Sequence, residues 1–332
     1  MIVRFASGGI HLPDLGLWLD PTARKTGDEK VFVSHGHTDH LGSHREVILT
    51  EPTAWFMHAR RGGKRLEHIL SFQQPMDLQH QGNSFRLTLL PAGHVLGSAM
   101  AFLETTGQSL LYTGDFKLRP GRAAELCAPR HADVLIMETT FGRPQYQFPD
   151  PEKIMAEVIA FCRDTLAQGG TPLLLAYALG KSQELLHGLV RSELPIMVHD
   201  QIRKMLHIYE HFGQHFPPWT EYDPAAAAGK VLLWPPHANR TGLLSAIGPV
   251  RTAIVTGWAL DSSCRYRSGT DAAYPLSDHA DFPELIAMVQ QVKPRKVLTL
   301  HGFAADFAQT LRELGFDARA LSEDDQLWLP LG

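Results

Sequence analysis

Cysteine is scarce in this chain. There are three, Cys127, Cys162 and Cys264, in 332 residues, and no two form a CxxC pair. A disulfide scaffold and a thiolate zinc site are therefore not expected, and the pattern reads as three reduced thiols in a cytosolic protein. Long apolar runs are also missing, since none approaches the roughly 20 residues of a membrane span. Met1-Ile2-Val3-Arg4-Phe5 is not a basic region leading into an apolar core, so no signal peptide is expected and the chain is assigned to the cytoplasm, with no membrane partner. Neither sign of charge is in large excess. A formal charge of −4 argues against a generally basic nucleic-acid coat but leaves room for a local basic groove. No internal repeat and no low-complexity tail is found. What remains is an ordinary globular composition, 44% hydrophobic and 20% charged, long enough for one large domain or two smaller ones.

Histidine is abundant, with 18 in the chain, and it is not evenly spread. Ser34-His35-Gly36-His37-Thr38-Asp39-His40 follows directly on the apolar run Val31-Phe32-Val33. A short strand that empties into a His-x-His-x-Asp-His turn aims several ligands at one place. Imidazole suits zinc and its neighbours, and a carboxylate adds charge compensation.

Three more apolar strands end on a ligand-type residue. Leu89-Leu90-Pro91-Ala92-Gly93 leads to His94, Leu110-Leu111-Tyr112-Thr113-Gly114 to Asp115, and Val297-Leu298-Thr299-Leu300 to His301. Strand ends on one edge of a sheet converge, so ligands distant in sequence can share a site, and the neighbouring glycines allow close backbone approach. Each residue alone has a plainer reading. Asp39 would cap the turn that follows, His94 would be a packed histidine, Asp115 a turn residue and His301 one strand-end histidine among many. Together with the opening run, they point to a shared centre. One catalytic zinc takes about three protein ligands plus water, so this set with one bridging residue suits two ions about 3.5–4 Å apart.

The first part of the chain reads as β-rich, with strands expected over 16–20, 30–33, 85–90, 101–104, 109–113 and 132–138. From 152 onward helices and strands alternate: helices over 152–168, 181–192 and 201–212, strands over 172–177, 196–198, 231–234 and 253–256. That alternation predicts a parallel sheet covered by helices. Residues 216–228 read as an irregular connection. The end returns to a helix over 283–291, a strand over 296–300 and a helix over 305–314.

The ordered motifs are similar to those of the metallo-β-lactamase superfamily. His35-x-His37-x-Asp39-His40, followed by His94 and Asp115, resembles its ligand series, and Asp20 resembles its first motif, a structural Asp beside the site. Glu138 in Met137-Glu138-Thr139-Thr140-Phe141-Gly142 resembles motif A of the β-CASP nucleases, His279 in Leu276-Ser277-Asp278-His279-Ala280-Asp281 their motif B, and His301 their motif C. Ala178-Leu179-Gly180-Lys181-Ser182-Gln183-Glu184-Leu185-Leu186 is also similar to a segment common in that group. Within it, the chain looks most like the bacterial ligase-associated DNA exonucleases, also labelled messenger-RNA 3′-end-processing-factor-like.

The resemblance implies an αββα metallo-β-lactamase sandwich with an inserted α/β β-CASP domain whose sheet is mostly parallel. Residues 1–145 and 271–332 would form the core and 146–270 the insert. It also implies two divalent ions, zinc first and manganese as the alternative. His35, His37 and His94 would hold one ion, Asp39, His40 and His301 the other, with Asp115 bridging. Asp39, His279 and Glu138 would be the catalytic residues, His279 as general acid and Glu138 orienting it. The implied reaction is attack of a metal-activated hydroxide on a phosphodiester between core and insert. The implied role is a DNA exonuclease in repair, functionally linked to a ligase. His at motif C is typical of RNA-processing members, so an RNA-processing nuclease is the alternative.

A thioesterase or lactamase-like hydrolase would share His35 to Asp115 but has no need of Glu138, His279 and His301. Gly180-Lys181-Ser182 is not a phosphate loop, because the pattern needs Gly where Leu175 stands. Arg60, Arg61, Lys64 and Arg65, and again Arg265 and Arg267, read either as nucleic-acid contacts or as solvated faces.

Overall fold

The computed structural model describes residues 1–238 and 247–322, together with the backbone of Gln326–Trp328. It forms two compact units, one of Met1–Gln147 with His279–Gly332 and one of Phe148–Asp278.

The first unit contains two seven-stranded sheets. In one, β1 (Ile2–Ala6), β2 (Gly9–Leu12), β3 (Leu17–Leu19), β4 (Lys30–Phe32), β5 (Glu46–Leu49) and β6 (Leu66–Ile69) lie in chain order, and the last strand, β20 (Gln326–Trp328), pairs with β1. From β3 to β6 the pairing is parallel. The other contains β7 (Pro75–His80), β8 (Asn83–Pro91), β9 (Ala99–Thr105), β10 (Gln108–Tyr112), β11 (Val134–Glu138), β18 (Lys296–Leu300) and β19 (Ala318–Ala320), in that order. The strands β7 to β10 are antiparallel neighbours, and β10, β11, β18 and β19 are parallel.

Period-two alternation explains why two sheets suffice. In β11, Val134 and Ile136 join one apolar cluster with Leu19, Phe32, Leu89 and Tyr112, drawn from both sheets, while Leu135 and Met137 join another on the opposite face. That second face is covered by helices α6 (Phe282–Val292) and α7 (Ala304–Glu313), through Leu285, Met288, Phe307 and Leu311. The outer face of the first sheet, Val31, Val47 and Leu49, is covered by Ala54 and Met57 of α1 (Glu51–Arg61). The order is helix, sheet, sheet, helix, as the resemblance implied. Strands buried on both faces need no polar residues, which is why β11 reads as one continuous apolar run.

The second unit has a six-stranded sheet, ordered β14 (Trp219–Glu221), β13 (Ile196–Val198), β15 (Val231–Trp234), β12 (Thr171–Leu175), β16 (Val250–Val255) and β17 (Ala272–Tyr274). Every pairing in it is parallel. Helices α2 (Pro151–Ala167), α3 (Lys181–Gly188), α4 (Asp200–His211) and α5 (Cys264–Ser268) belong to this unit. Val158, Leu185, Ile202 and Leu206 pack against Leu174, Val198 and Val231.

The compact units divide after 278, while the domains were expected to divide after 270; β17 pairs with β16 and belongs to the parallel sheet. One expectation about the strands changes. Residues 216–228, expected to be irregular, contribute the edge strand β14, which is three residues long and too short to show a period. Among the described residues no helix is long and apolar enough to cross a membrane. The cysteines are unpaired, and burial pushes the Cys127 and Cys162 thiols up to about 12, far from thiolate chemistry.

Leu174 is fully buried in the middle of the parallel sheet. Leu174→Ala is expected to lower the unfolding free energy of its unit by about 2–5 kcal/mol, read from the midpoint of urea denaturation.

Candidate metal centre

Chain direction decides what lies at which edge. β10, β11 and β18 are parallel, and β8, two antiparallel steps from β10, runs the same way. Their carboxyl ends therefore share one edge and deliver His94, Asp115, Glu138 and His301. In the facing sheet, β3 ends beside Asp20 and β4 leads through Val33 and Ser34 to His35.

Four of the expected ligands, His35, His37, His94 and Asp115, present atoms that all lie within 4.8 Å of one another. His37 Nδ1 is 3.1 Å from His35 Nε2 and 3.0 Å from His94 Nε2. Asp115 Oδ2 is 3.5 Å from His35 Nε2 and 3.8 Å from His94 Nε2. A tetrahedron with metal–nitrogen bonds of about 2.0–2.1 Å has edges of about 3.3 Å, so these spacings fit one zinc-sized ion. His40 Nε2 is 3.5 Å and His279 Nε2 4.0 Å from the same Asp115 oxygen. Asp115 is thus a buried carboxylate ringed by imidazoles at or beyond the outer limit of hydrogen bonding. That is a donor set suited to a cation.

Not every expected ligand joins the cluster. Asp39 and His301 are exposed, and neither belongs to a group of ligand atoms this close among the described residues. The His301 ring centroid is 6.3 Å from that of His40. His301 also takes a left-handed backbone, φ 59°, an uncommon conformation for a residue with a side chain.

The imidazoles are aimed by a second set of bonds. The Asp20 carboxylate is buried and accepts from Ser34 N at 2.7 Å, Ser34 Oγ at 2.5 Å, Tyr112 OH at 2.9 Å and His40 Nδ1 at 3.0 Å. Since the Ser34 hydroxyl donates to Asp20, it accepts from His35 Nδ1, 2.9 Å away. One carboxylate thereby sets the tautomers of His35 and His40 and leaves both Nε2 atoms facing Asp115. On the other side, Glu138, also buried, accepts from His279 Nδ1 at 2.9 Å and from Thr140 N at 2.9 Å, which turns His279 Nε2 toward Asp115. Ser34 and Tyr112 were not singled out from sequence. Ser34 lies inside the quoted run, but nothing there reveals that its hydroxyl links His35 to Asp20.

Electrostatics follow from this packing. Burial, with the neighbouring imidazoles, pushes His35 well below the usual histidine range. Burial would also depress His40, but the Asp115 and Asp20 carboxylates hold it well above that range. Burial opposes ionisation of Asp115, yet His40 and His279 hold it well below the usual carboxylate value. Positive charge is thus drawn to the centre of the cluster.

Glycine is required at Gly93, where φ is 77° and an added Cβ would lie 2.3 Å from the Lys117 carbonyl oxygen. The turn after it is held by Ser98 Oγ, which accepts from His94 N at 3.1 Å. The basic clusters are only partly open. Arg61 and Lys64 are exposed, whereas Arg65 lies 3.6 Å from Glu67 and Arg267 is 2.8 Å from Asp261. Lys181 pairs with Asp278 at 2.7 Å, both largely buried, so its ammonium serves an internal ion pair.

Residues 29–140 match the model of the metallo-β-lactamase superfamily, and residues 272–321 match the Zn-dependent metallo-hydrolase RNA specificity domain. The chain belongs to the metallo-β-lactamase superfamily, in its β-CASP group. It is 49% identical over 328 residues to a protein of Opitutus terrae named probable DNA ligase, covering 98% of this chain and 32% of that protein. It is 39% identical over 188 residues to endoribonuclease ysh1 of Schizosaccharomyces pombe, 47% of this chain and 24% of that one. It is 29% identical over 205 residues to an RNase J-like protein of Methanocaldococcus jannaschii, 54% of this chain and 48% of that one. The chain thus spans from about a quarter to a half of these relatives' lengths. A crystal structure of a protein of unknown function from Enterococcus faecalis shares the fold, with a TM-score of 0.61 at 12% identity, over 90% of this chain and 81% of that one.

Asp20→Asn puts an amide donor where four donors already converge. Zinc affinity is expected to fall by about 10–100-fold, measured by competition with a chromogenic chelator. Gly93→Ala is expected to cost about 1–3 kcal/mol of stability in thermal unfolding, through strain at a left-handed position.

Proposed function

We propose that this protein is a metal-dependent nuclease that hydrolyses phosphodiester bonds, acting as a DNA exonuclease in repair alongside a ligase in the cytoplasm. One observation carries the reading. His279 is fixed by Glu138 at its Nδ1 and turns its Nε2 toward the same Asp115 oxygen that faces His35, His40 and His94. A hydrolase of thioesters or lactams has no use for that extra imidazole. The 49% identical relative named probable DNA ligase supports the link to DNA joining.

In this reading His35, His37 and His94 would hold one ion and Asp39, His40 and His301 a second, with Asp115 shared between them. Zinc is expected, with manganese as the alternative. Such ions supply positive charge against the phosphate oxygens and lower the pKa of water. The protein side chains do the rest. Asp20, through Ser34 and directly, keeps His35 and His40 in the ligating tautomer. The Glu138 carboxylate accepts from His279 Nδ1 and favours the protonated ring, whose Nε2 then carries the proton for the leaving oxygen. The unit Phe148–Asp278 is read as the β-CASP insert.

RNA is the second substrate reading. It is favoured by the RNA specificity domain model over residues 272–321, by the likeness to endoribonuclease ysh1 and by His301 at motif C.

His35→Ala and Asp115→Ala are expected to lose zinc, by elemental analysis, and to cut end-labelled DNA and RNA, single- or double-stranded, only at background rates. Full activity in either purified variant would overturn the assignment. His279→Ala should retain its zinc and slow cleavage by about 10²–10⁴-fold. A large loss of zinc there would instead make His279 a ligand. Oligonucleotides blocked at the 5′ or 3′ end, run beside circular substrates, decide polarity and exo- against endonucleolytic cleavage.

A further inference from the structure

Helix α1 is tied at both ends to loops that carry expected ligands. At its start, Thr50 Oγ1 donates to the Gly97 carbonyl at 2.6 Å and Thr53 Oγ1 to the same oxygen at 3.1 Å, on the turn that follows His94. At its last residue, Arg61 Nη2 lies 3.5 Å from the carbonyl of Thr38, the residue between His37 and Asp39. The C-terminal turn of α1 therefore stands beside the His35–His40 loop.

That turn is basic. Four of the six residues 60–65 are Arg or Lys and none is acidic, in a chain whose formal charge is −4. The cations are not equivalent. Arg65 Nη2 donates to the Gly62 carbonyl, and its Nε lies 3.6 Å from Glu67, so this guanidinium is turned inward and pins the turn. Glu67, the first carboxylate after the turn, is also 2.6 Å from His58. Arg61 and Lys64 are exposed, and no ion pair joins either to a carboxylate among the described residues. The second basic cluster differs, since Arg267 is held by Asp261 at 2.8 Å.

A plainer reading covers only part of this. Cations are favoured at a helix C-terminus, which accounts for Arg60 and Arg61. Lys64 stands beyond two glycines, past the helix end, and has no such use. Gly62 and Gly63 take φ of 48° and 85°, and a Cβ built at Gly62 would meet nothing within 4 Å, so the space before the turn is open. Two uncompensated cations on an open turn suit a polyanion whose charges repeat along a chain. Each strand of a duplex carries a phosphate about every 3.4 Å along the axis, so a strand with one phosphate at the metal centre presents others to its rim.

We propose that Arg61 and Lys64 hold backbone phosphates of the substrate strand next to the one being cut. The proposal deepens the nuclease reading and rests on it for the identity of the polyanion. Contacts of this kind read no sequence, so the turn adds affinity and register without base preference.

The test is the salt dependence of binding. A fluorescein-labelled phosphorothioate oligonucleotide, which resists cleavage, is titrated into the zinc-loaded full chain at salt concentrations from about 50 to about 200 mM, and anisotropy gives the affinity. Arg61→Gln and Lys64→Gln are each expected to reduce the slope of log K against log salt by about 0.7 for a single strand and about 0.9 for a duplex, and the double variant by about twice that. Lys64→Arg keeps the parent slope. Arg86→Gln, which removes a cation paired with Asp77 and changes the net charge equally, also keeps it. Should Arg61→Gln lose zinc through its Thr38 contact, the Lys64→Gln slope decides. If Lys64→Gln and the double variant keep the parent slope, or if Arg86→Gln lowers it as much, the proposal is overturned and the turn is a solvated face, while cleavage by the parent leaves the nuclease reading standing. If the parent cleaves no nucleic acid yet the slopes fall as expected, the nuclease reading falls and the phosphate-binding turn remains.

Discussion

The buried carboxylate of Asp20 is the pin on which the centre turns. It lies between two sheets, cannot reach water and must be satisfied by protein donors. Ser34, Tyr112 and His40 supply them from two strands' ends and a loop. Because a carboxylate only accepts, each partner must donate, and that requirement fixes which nitrogen of His40 and of His35 is left for a ligand. Tyr112 comes from the opposite sheet, so the same bonds tie the two halves of the sandwich together at the edge where function gathers. Loss of the negative charge at Asp20 would therefore affect ring orientation at two positions at once.

Around this pin, the first unit places its remaining carboxylates with opposite treatments. Glu138 is satisfied by His279 and a backbone N–H. Asp115 faces four imidazoles, at 3.5 to 4.0 Å, with Glu138 within 4.8 Å. In a dry site a carboxylate so placed needs positive charge, and the surrounding nitrogens are spaced to hold a cation. The strong opposed shifts of His35 and His40 reflect the same imbalance. Four parallel-running strand ends make this economical, since each contributes one chemical group and none must stray from regular structure by more than a few residues.

The second unit repeats the principle with different residues. Its sheet is parallel throughout, so all strand ends lie at one edge. There the register lines up His199, Tyr222 and Trp234, which are scattered in sequence and carry no motif. In the same unit Lys181 is withdrawn into an ion pair with Asp278. The two edges bring together different chemistries, cation-seeking in one unit and aromatic in the other.

Much of this was legible in the chain. The parallel second sheet follows from the alternation of helices and strands, the αββα sandwich from the resemblance, and the placing of His94 and Asp115 from the apolar strands that lead to them. The short elements were not. Strands of three residues such as β14 and β17 show no period, and only pairing with a neighbour makes them strands. Helix α1 was also not foreseen. Its Ala54-Trp55-Phe56-Met57 run is continuous rather than helically spaced, and only the sheet it covers picks out Ala54 and Met57.

The sequence by itself determined which strands end on metal-ligating types of side chain, because side-chain chemistry and hydrophobic period are local properties. Only the tertiary structure decided that Ser34 and Tyr112 meet Asp20, that Asp39 and His301 stand at the rim, and that the basic turn after α1 lies beside the His35–His40 loop. Those are matters of register, burial and side-chain direction, which depend on partners far away along the chain.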